Sequence, residues 1–139
     1  MSEQDVEVVG AAIEAFNRES RDLDTARPRV AARFFVDEPE IVPLRAVLEG
    51  TTFKGPTALD DFFDATKEAW SDLRIDVERI EEEGAGVLVV ATLVGTGRES
   101  RAVVEAPQAW AFFLQEGRIA RAVTHPNEQD ARRELRGEH

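Results

Sequence analysis

The chain has 139 residues, with 17 Lys and Arg against 28 Asp and Glu, a net charge of −11 and no cysteine. Acidity of that size opposes nucleic-acid phosphates and anionic lipid surfaces, so neither is expected as a partner. The lack of cysteine removes disulfides, thiolate metal sites and thiol nucleophiles together, and suits a reducing cytoplasm, the expected location.

A chain this long buries a core without staples, and residues 1–139 are expected to form one domain. Met1 to Asp5 is polar and the following apolar positions are interrupted by charge, so no signal peptide is read; the apolar runs are strand-sized, too short for a membrane span. Val6, Val9, Ala12, Ile13 and Phe16 recur at spacings of three and four and predict a first amphipathic helix. Asn17 to Asp24 reads as a turn, and Asp24 or Thr25 as the cap of a second helix with Val30, Ala31, Phe34 and Phe35 facing inward, its regular part starting at Pro28. Ile41 to Leu48, broken by Pro43, reads as an edge or bent strand, and Glu49 to Lys54 as a turn. Gly55-Pro56 starts a third helix that carries Leu59, Phe62, Phe63, Thr66, Ala69 and Trp70.

From Ser71 the period changes to two. Leu73, Ile75 and Val77 alternate with Arg74, Asp76 and Glu78 as in a strand with one wet face. Glu81 to Gly86 reads as a solvated hairpin tip, Val87 to Val94 as an apolar strand and Gly95 to Ser100 as the next connection. Residues 109–125 read as two strands on a three-residue loop, Gln115-Glu116-Gly117, whose last position needs positive φ. In that register Leu114 faces Arg118, Phe112 faces Ala120 and Trp110 faces Ala122. Alternation puts Trp110, Phe112, Ala120, Ala122 and Thr124 on one face and Ala111, Phe113, Ile119, Arg121 and Val123 on the other. Both faces are apolar. An antiparallel sheet usually leaves one face wet, so the pattern predicts helices and a pocket over the first face and a second subunit, in a homodimer, over the other. Asn127 to Asp130 resembles a cap before a short polar helix with only Ala131 and Leu135 to bury, and residues 127–139 are expected to be a peripheral C-terminal tail.

Segregated helices and strands define an α+β chain. Ala15-Phe16-Asn17-Arg18 and Arg21-Asp22-Leu23-Asp24 on the first connection, Phe53-Lys54-Gly55, Asp61-Phe62-Phe63 and Glu116-Gly117-Arg118-Ile119, in this element order, resemble the SnoaL-like branch of the nuclear transport factor 2-like superfamily. Ketosteroid isomerases and polyketide cyclases are its relatives. The resemblance implies a cystatin-like cone, three N-terminal helices packed on a curved antiparallel sheet, around a conical apolar pocket, with a homodimer through the outer sheet face. It does not imply one reaction, because isomerases, cyclases, hydrolases and proteins without chemistry share the fold.

What stands at the relatives' catalytic positions decides the chemistry to expect. The resemblance places Pro43 at the isomerase base, Ala12 at the oxyanion-hole tyrosine and Trp110 at its partner acid, while Thr124 stands at the acid of the cyclases. None of these side chains exchanges a proton near neutral pH. His125 is the one titrating candidate inside the fold, on the face opposite Trp110, and is read first as a rim or interface residue with one hydrogen bond. Phe16, Phe35, Trp70, Trp110, Phe112, Ala122 and Thr124 are expected to line the pocket and Arg45 to stand at its mouth, whereas Phe62 and Phe63 are read as plain core. No metal and no cofactor is implied. Three functions compete: a domain that binds a small hydrophobic molecule without a catalytic acid and base; an isomerase, cyclase or hydrolase with His125 as base and Thr124 or Gln108 orienting the substrate; and a dimer module that binds nothing.

Overall fold

A computed structural model describes residues 2–44 and 52–138. Its elements, in chain order, are α1 (Ser2–Glu19), a single 3₁₀ turn (Ala31–Phe34), β1 (Phe35–Val42), β2 (Phe53–Lys54), α2 (Ala58–Lys67), β3 (Trp70–Glu83), β4 (Gly86–Gly97), β5 (Val103–Gln115), β6 (Arg118–His125) and α3 (Glu128–Leu135). The strands form one six-stranded sheet in the order β2-β1-β6-β5-β4-β3. All pairs are antiparallel except β1 with β6. Among the described residues no helix is long and apolar enough to cross a membrane.

The expected second helix is not there. Its residues make one 3₁₀ turn, and Phe35 opens β1 instead. The reason is local: Pro28 donates no amide hydrogen, and the Glu19 carboxylate accepts from the Val30 and Ala31 amides at 2.7 and 2.9 Å, capping a single turn. Two helices therefore precede the four long strands, not three. The chain around Gly55 also differs from expectation. Gly55, at φ 106°, and Pro56 form a turn closed by Ala58 N–H to the Gly55 carbonyl, so α2 begins two residues beyond the proline and ends before Trp70, which opens β3. Phe53-Lys54, expected in a turn, pairs with Ile41 and Glu40 as the edge strand, which makes β1 an interior strand.

Helix α1 lies across the concave face of the sheet, with Val9, Ala12 and Ile13 packed on Phe35, Val87, Val89, Ala91, Trp110, Phe112, Ile119 and Ala122. Its last turns are tied to the free edge of β3. The Asn17 amide donates to the Ile75 carbonyl and accepts from the Ile75 amide, at 2.9 and 2.8 Å, in place of a neighbouring strand. Ser20 Oγ donates to the Leu73 carbonyl at 2.7 Å.

The β5–β6 hairpin turns on two residues, Glu116 and Gly117, both at positive φ, rather than three. Phe112 pairs with Ala122, Trp110 with Thr124 and Ala109 with His125, a register displaced by two from the expected one. Displacement by two preserves the faces. A bulge at Ala120, between the Phe113–Arg121 and Leu114–Ile119 pairs, carries Ile119 to the concave face, where it is fully buried among α1 and β5 side chains. Ile119 is thus no part of the outer surface. A second bulge, between Val77 and Arg79, leaves Val77 exposed at the end of its apolar alternation.

The expected short C-terminal helix is present, from Glu128 to Leu135. Asn127 caps α3 by accepting from the Asp130 amide, and Ala131 and Leu135 are buried against Leu88, Ala109, Ala111 and Val123 on the convex face. Strand β3 runs through Glu83, and the Gly84-Ala85 turn meets the end of α3, where Ala85 N–H donates to the Leu135 carbonyl at 2.8 Å. Gly84, at φ 53°, has no room for a side chain: a Cβ there falls 2.2 Å from that same carbonyl oxygen.

Candidate functional site

The concave face holds a partly open cavity of about 110 Å³. Helix α1 contributes Ala12, Ile13 and Phe16, α2 contributes Leu59, Phe62 and Thr66, and the strands, the 3₁₀ turn and Pro43-Leu44 just beyond β1 supply the rest of the wall. Of the residues expected to line it, Phe16, Phe35, Trp110, Phe112, Ala122 and Thr124 do so. Trp70 does not. As the first residue of β3 it packs with Leu23, Phe63 and Leu73 in a separate cluster. Phe62, read as plain core, lines the cavity, while Phe63 is core. Arg45 lies outside the described residues.

Ala12, Pro43, Trp110 and Thr124, the four positions that the resemblance singles out, all face this cavity. Among the described residues, no Asp, Glu, His, Lys or Arg lines it, and its polar side chains are Thr66, Gln108, Thr124 and the Trp110 indole. The Thr66 hydroxyl donates to the Phe62 carbonyl at 2.6 Å and is thereby spent within α2. Gln108 is different. It shares the inward face of β5 with Trp110 and Phe112 and is 4% exposed, and its amide nitrogen, sealed from solvent, has no hydrogen-bond partner.

His125 belongs to the opposite face. Its Nε2 lies 2.6 Å from Glu134 Oε1, and Glu134 also accepts from Arg121, whose guanidinium reaches Glu40 at 3.0 Å and stacks 5.5 Å from the Phe113 ring. Burial raises the Glu134 pKa, but the hydrogen bonds from Arg121 and His125 outweigh it and hold the carboxyl below its ordinary value. A second network clamps α3 to the β3–β4 hairpin. Arg132 binds Glu81 at 2.6 Å, Glu128 at 2.6 Å and Glu83; Arg79 joins Glu81 and Glu128; Arg136 binds Glu83 at 2.6 Å. The hairpin glutamates, expected at a solvated tip, are therefore the anchor of the last helix. Hydrogen bonds from Arg132 lower the pKa of both Glu81 and Glu128.

A six-stranded curved sheet with helices on its concave face and an apolar interior cavity defines a cone-shaped α+β fold. The chain belongs to the SnoaL-like domain family, whose sequence model matches residues 9–122. Solved structures share the fold at low identity. TerC co-crystallised with polyporic acid is 15% identical, covering 97% of this chain and 99% of its own, with a TM-score of 0.72. A putative polyketide cyclase from Xanthomonas campestris pv. campestris is 19% identical over 92% and 93% of the two chains, with a TM-score of 0.68. A protein with a ketosteroid isomerase-like fold from Catenulispora acidiphila, in complex with trimethylamine, is 14% identical over 96% and 94%, with a TM-score of 0.70. No functionally curated protein matches the sequence.

Proposed function

We propose that this protein is a small-molecule-binding SnoaL-like domain whose cavity takes a hydrophobic ligand without acid–base chemistry from its walls. The observation that carries the reading is the lining: aliphatic and aromatic side chains, with Gln108, among the described lining residues, the one that carries a buried side-chain atom left unpaired. A cavity walled this way excludes water and orients a guest through few polar contacts. The enzyme alternative requires a proton acceptor at the cavity, and His125 is engaged with Glu134 across the sheet. Two structural neighbours were crystallised with small organic molecules, polyporic acid and trimethylamine, which agrees with the reading.

A thermal-shift series with apolar compounds, from single rings to polycyclic hydrocarbons, tests it. A saturable rise in Tm with at least one compound is expected, since a ligand that binds only the folded state stabilises it by mass action. No shift with any compound contradicts the proposal. We also propose that the chain dimerises through the convex face beside α3, where Val42, Val90 and Phe113 are only partly buried.

A further inference from the structure

Resting on the reading of the cavity as a binding site, we propose that its ligand is uncharged, about one ring in size, and presents a single hydrogen-bond acceptor, a carbonyl or ether oxygen, to the Gln108 carboxamide. Size comes first. The cavity of about 110 Å³ is somewhat smaller than the roughly 150 Å³ apolar cavity that holds benzene in an engineered core, and well below the roughly 300–1,000 Å³ of sites for drug-sized molecules. A compact ring matches that space more closely than fused rings do.

Charge comes second. Among the described residues the lining offers neither a cation nor an anion, and an ion moved from water into such walls loses its hydration with nothing in return. The net charge of −11 further opposes an anionic guest.

Polarity comes third. Among the described residues, the buried side-chain atoms without a partner are Trp70 Nε1 and Gln108 Nε2, and of these two residues only Gln108 lines the cavity. A donor already stripped of water and unpaired is unfavourable in the empty protein, so a ligand acceptor that meets it relieves that penalty on binding. The terminal amide torsion of glutamine is soft, so the N–H edge can rotate to the guest.

Cyclohexanone and methylenecyclohexane have nearly the same shape and differ in C=O against C=CH₂. The hydrocarbon leaves water more readily, so the informative quantity is how each Kd changes when Gln108 is replaced. Calorimetric titration of Gln108→Leu against wild type is expected to weaken cyclohexanone about tenfold and leave methylenecyclohexane unchanged or tighter. An unchanged affinity for cyclohexanone, or an equal loss for both compounds, overturns the assignment of the amide. Gln108→Met repeats the comparison should the leucine variant not fold. Cyclohexanecarboxylate at neutral pH is expected not to bind, and the two-ring 2-decalone to bind more weakly than cyclohexanone; tight binding of either overturns the charge or the size argument. Should wild type bind methylenecyclohexane with no preference changed by Gln108, the inference fails alone. Should it bind none of these compounds but a polycyclic hydrocarbon of the thermal-shift series, the inference again fails alone; should it bind none in either set, the binding-site reading fails with it.

Discussion

The two faces of this sheet are built from opposite chemistry. The concave face meets α1 and α2 across aromatic and aliphatic side chains around a cavity with no titrating group among its described lining residues. The convex face meets α3 through a small apolar patch ringed by Arg79, Arg121, Arg132, His125 and five glutamates. Titrating side chains are thus gathered where they hold a helix and, among the described residues, are absent from the cavity wall. Ionisable residues in a cone of this kind do not by themselves mark a reactive site; the face they occupy decides.

Truncating one large side chain on each face sharpens the contrast. Phe112→Ala, at a buried position on the cavity wall, is expected to lower unfolding stability by about 3–5 kcal/mol and to admit ligands larger than one ring. Leu135→Ala removes the fully buried anchor of α3 and is expected to lower stability by about 2–4 kcal/mol without changing ligand affinity. Urea unfolding reads both stabilities. A loss of ligand binding in the α3 variant would show that the faces are coupled and break the comparison.

The outer surface beside α3 offers the next test. Phe113→Asp is expected to convert a micromolar dimer to monomers in sedimentation, and a wild-type monomer at that concentration contradicts the proposed dimer.

Acidification separates the faces more gently. Glu81, Glu128 and Glu134 have folded pKa values below the ordinary 4.5, so the folded protein holds fewer protons than the unfolded chain near that pH. Their stabilising contribution is complete above the unfolded value and is lost as pH falls through the depressed folded values. The urea midpoint should decline below about pH 4.5, while binding of an uncharged ligand stays level from about pH 6 to 8. A midpoint indifferent to acid contradicts the part assigned to these pairs.

Much of the cavity was legible because side-chain alternation is insensitive to a register displacement of two. Trp110, Phe112, Ala122 and Thr124 kept their face although every pairing along the hairpin differed from the expected one. Phe35 reached the cavity from a strand rather than the expected helix, since an apolar residue at the helix–strand border is drawn inward either way. At the end of α2 the same ambiguity misled: Trp70 continues the helical spacing but begins β3, which turns it out of the cavity. Ile119 was misplaced because a bulge depends on how two strands fit, and nothing local to Ala120 announces it. The role of α3 was hidden by distance, as Arg132 finds Glu83 and Glu81 at separations of 49 and 51 residues, beyond any periodicity along the chain. Gln108 was visible only as a polar residue in an apolar run; its unpaired nitrogen is a property of the packed interior.

Filling the cavity tests the central claim most directly. Ala122 lines it opposite Phe112, and Ala122→Leu places three more carbons into the space. Calorimetric titration with methylenecyclohexane is expected to show binding to wild type and none to Ala122→Leu, with both proteins unfolding cooperatively. Equal affinity in the filled variant would place the ligand elsewhere and contradict the account.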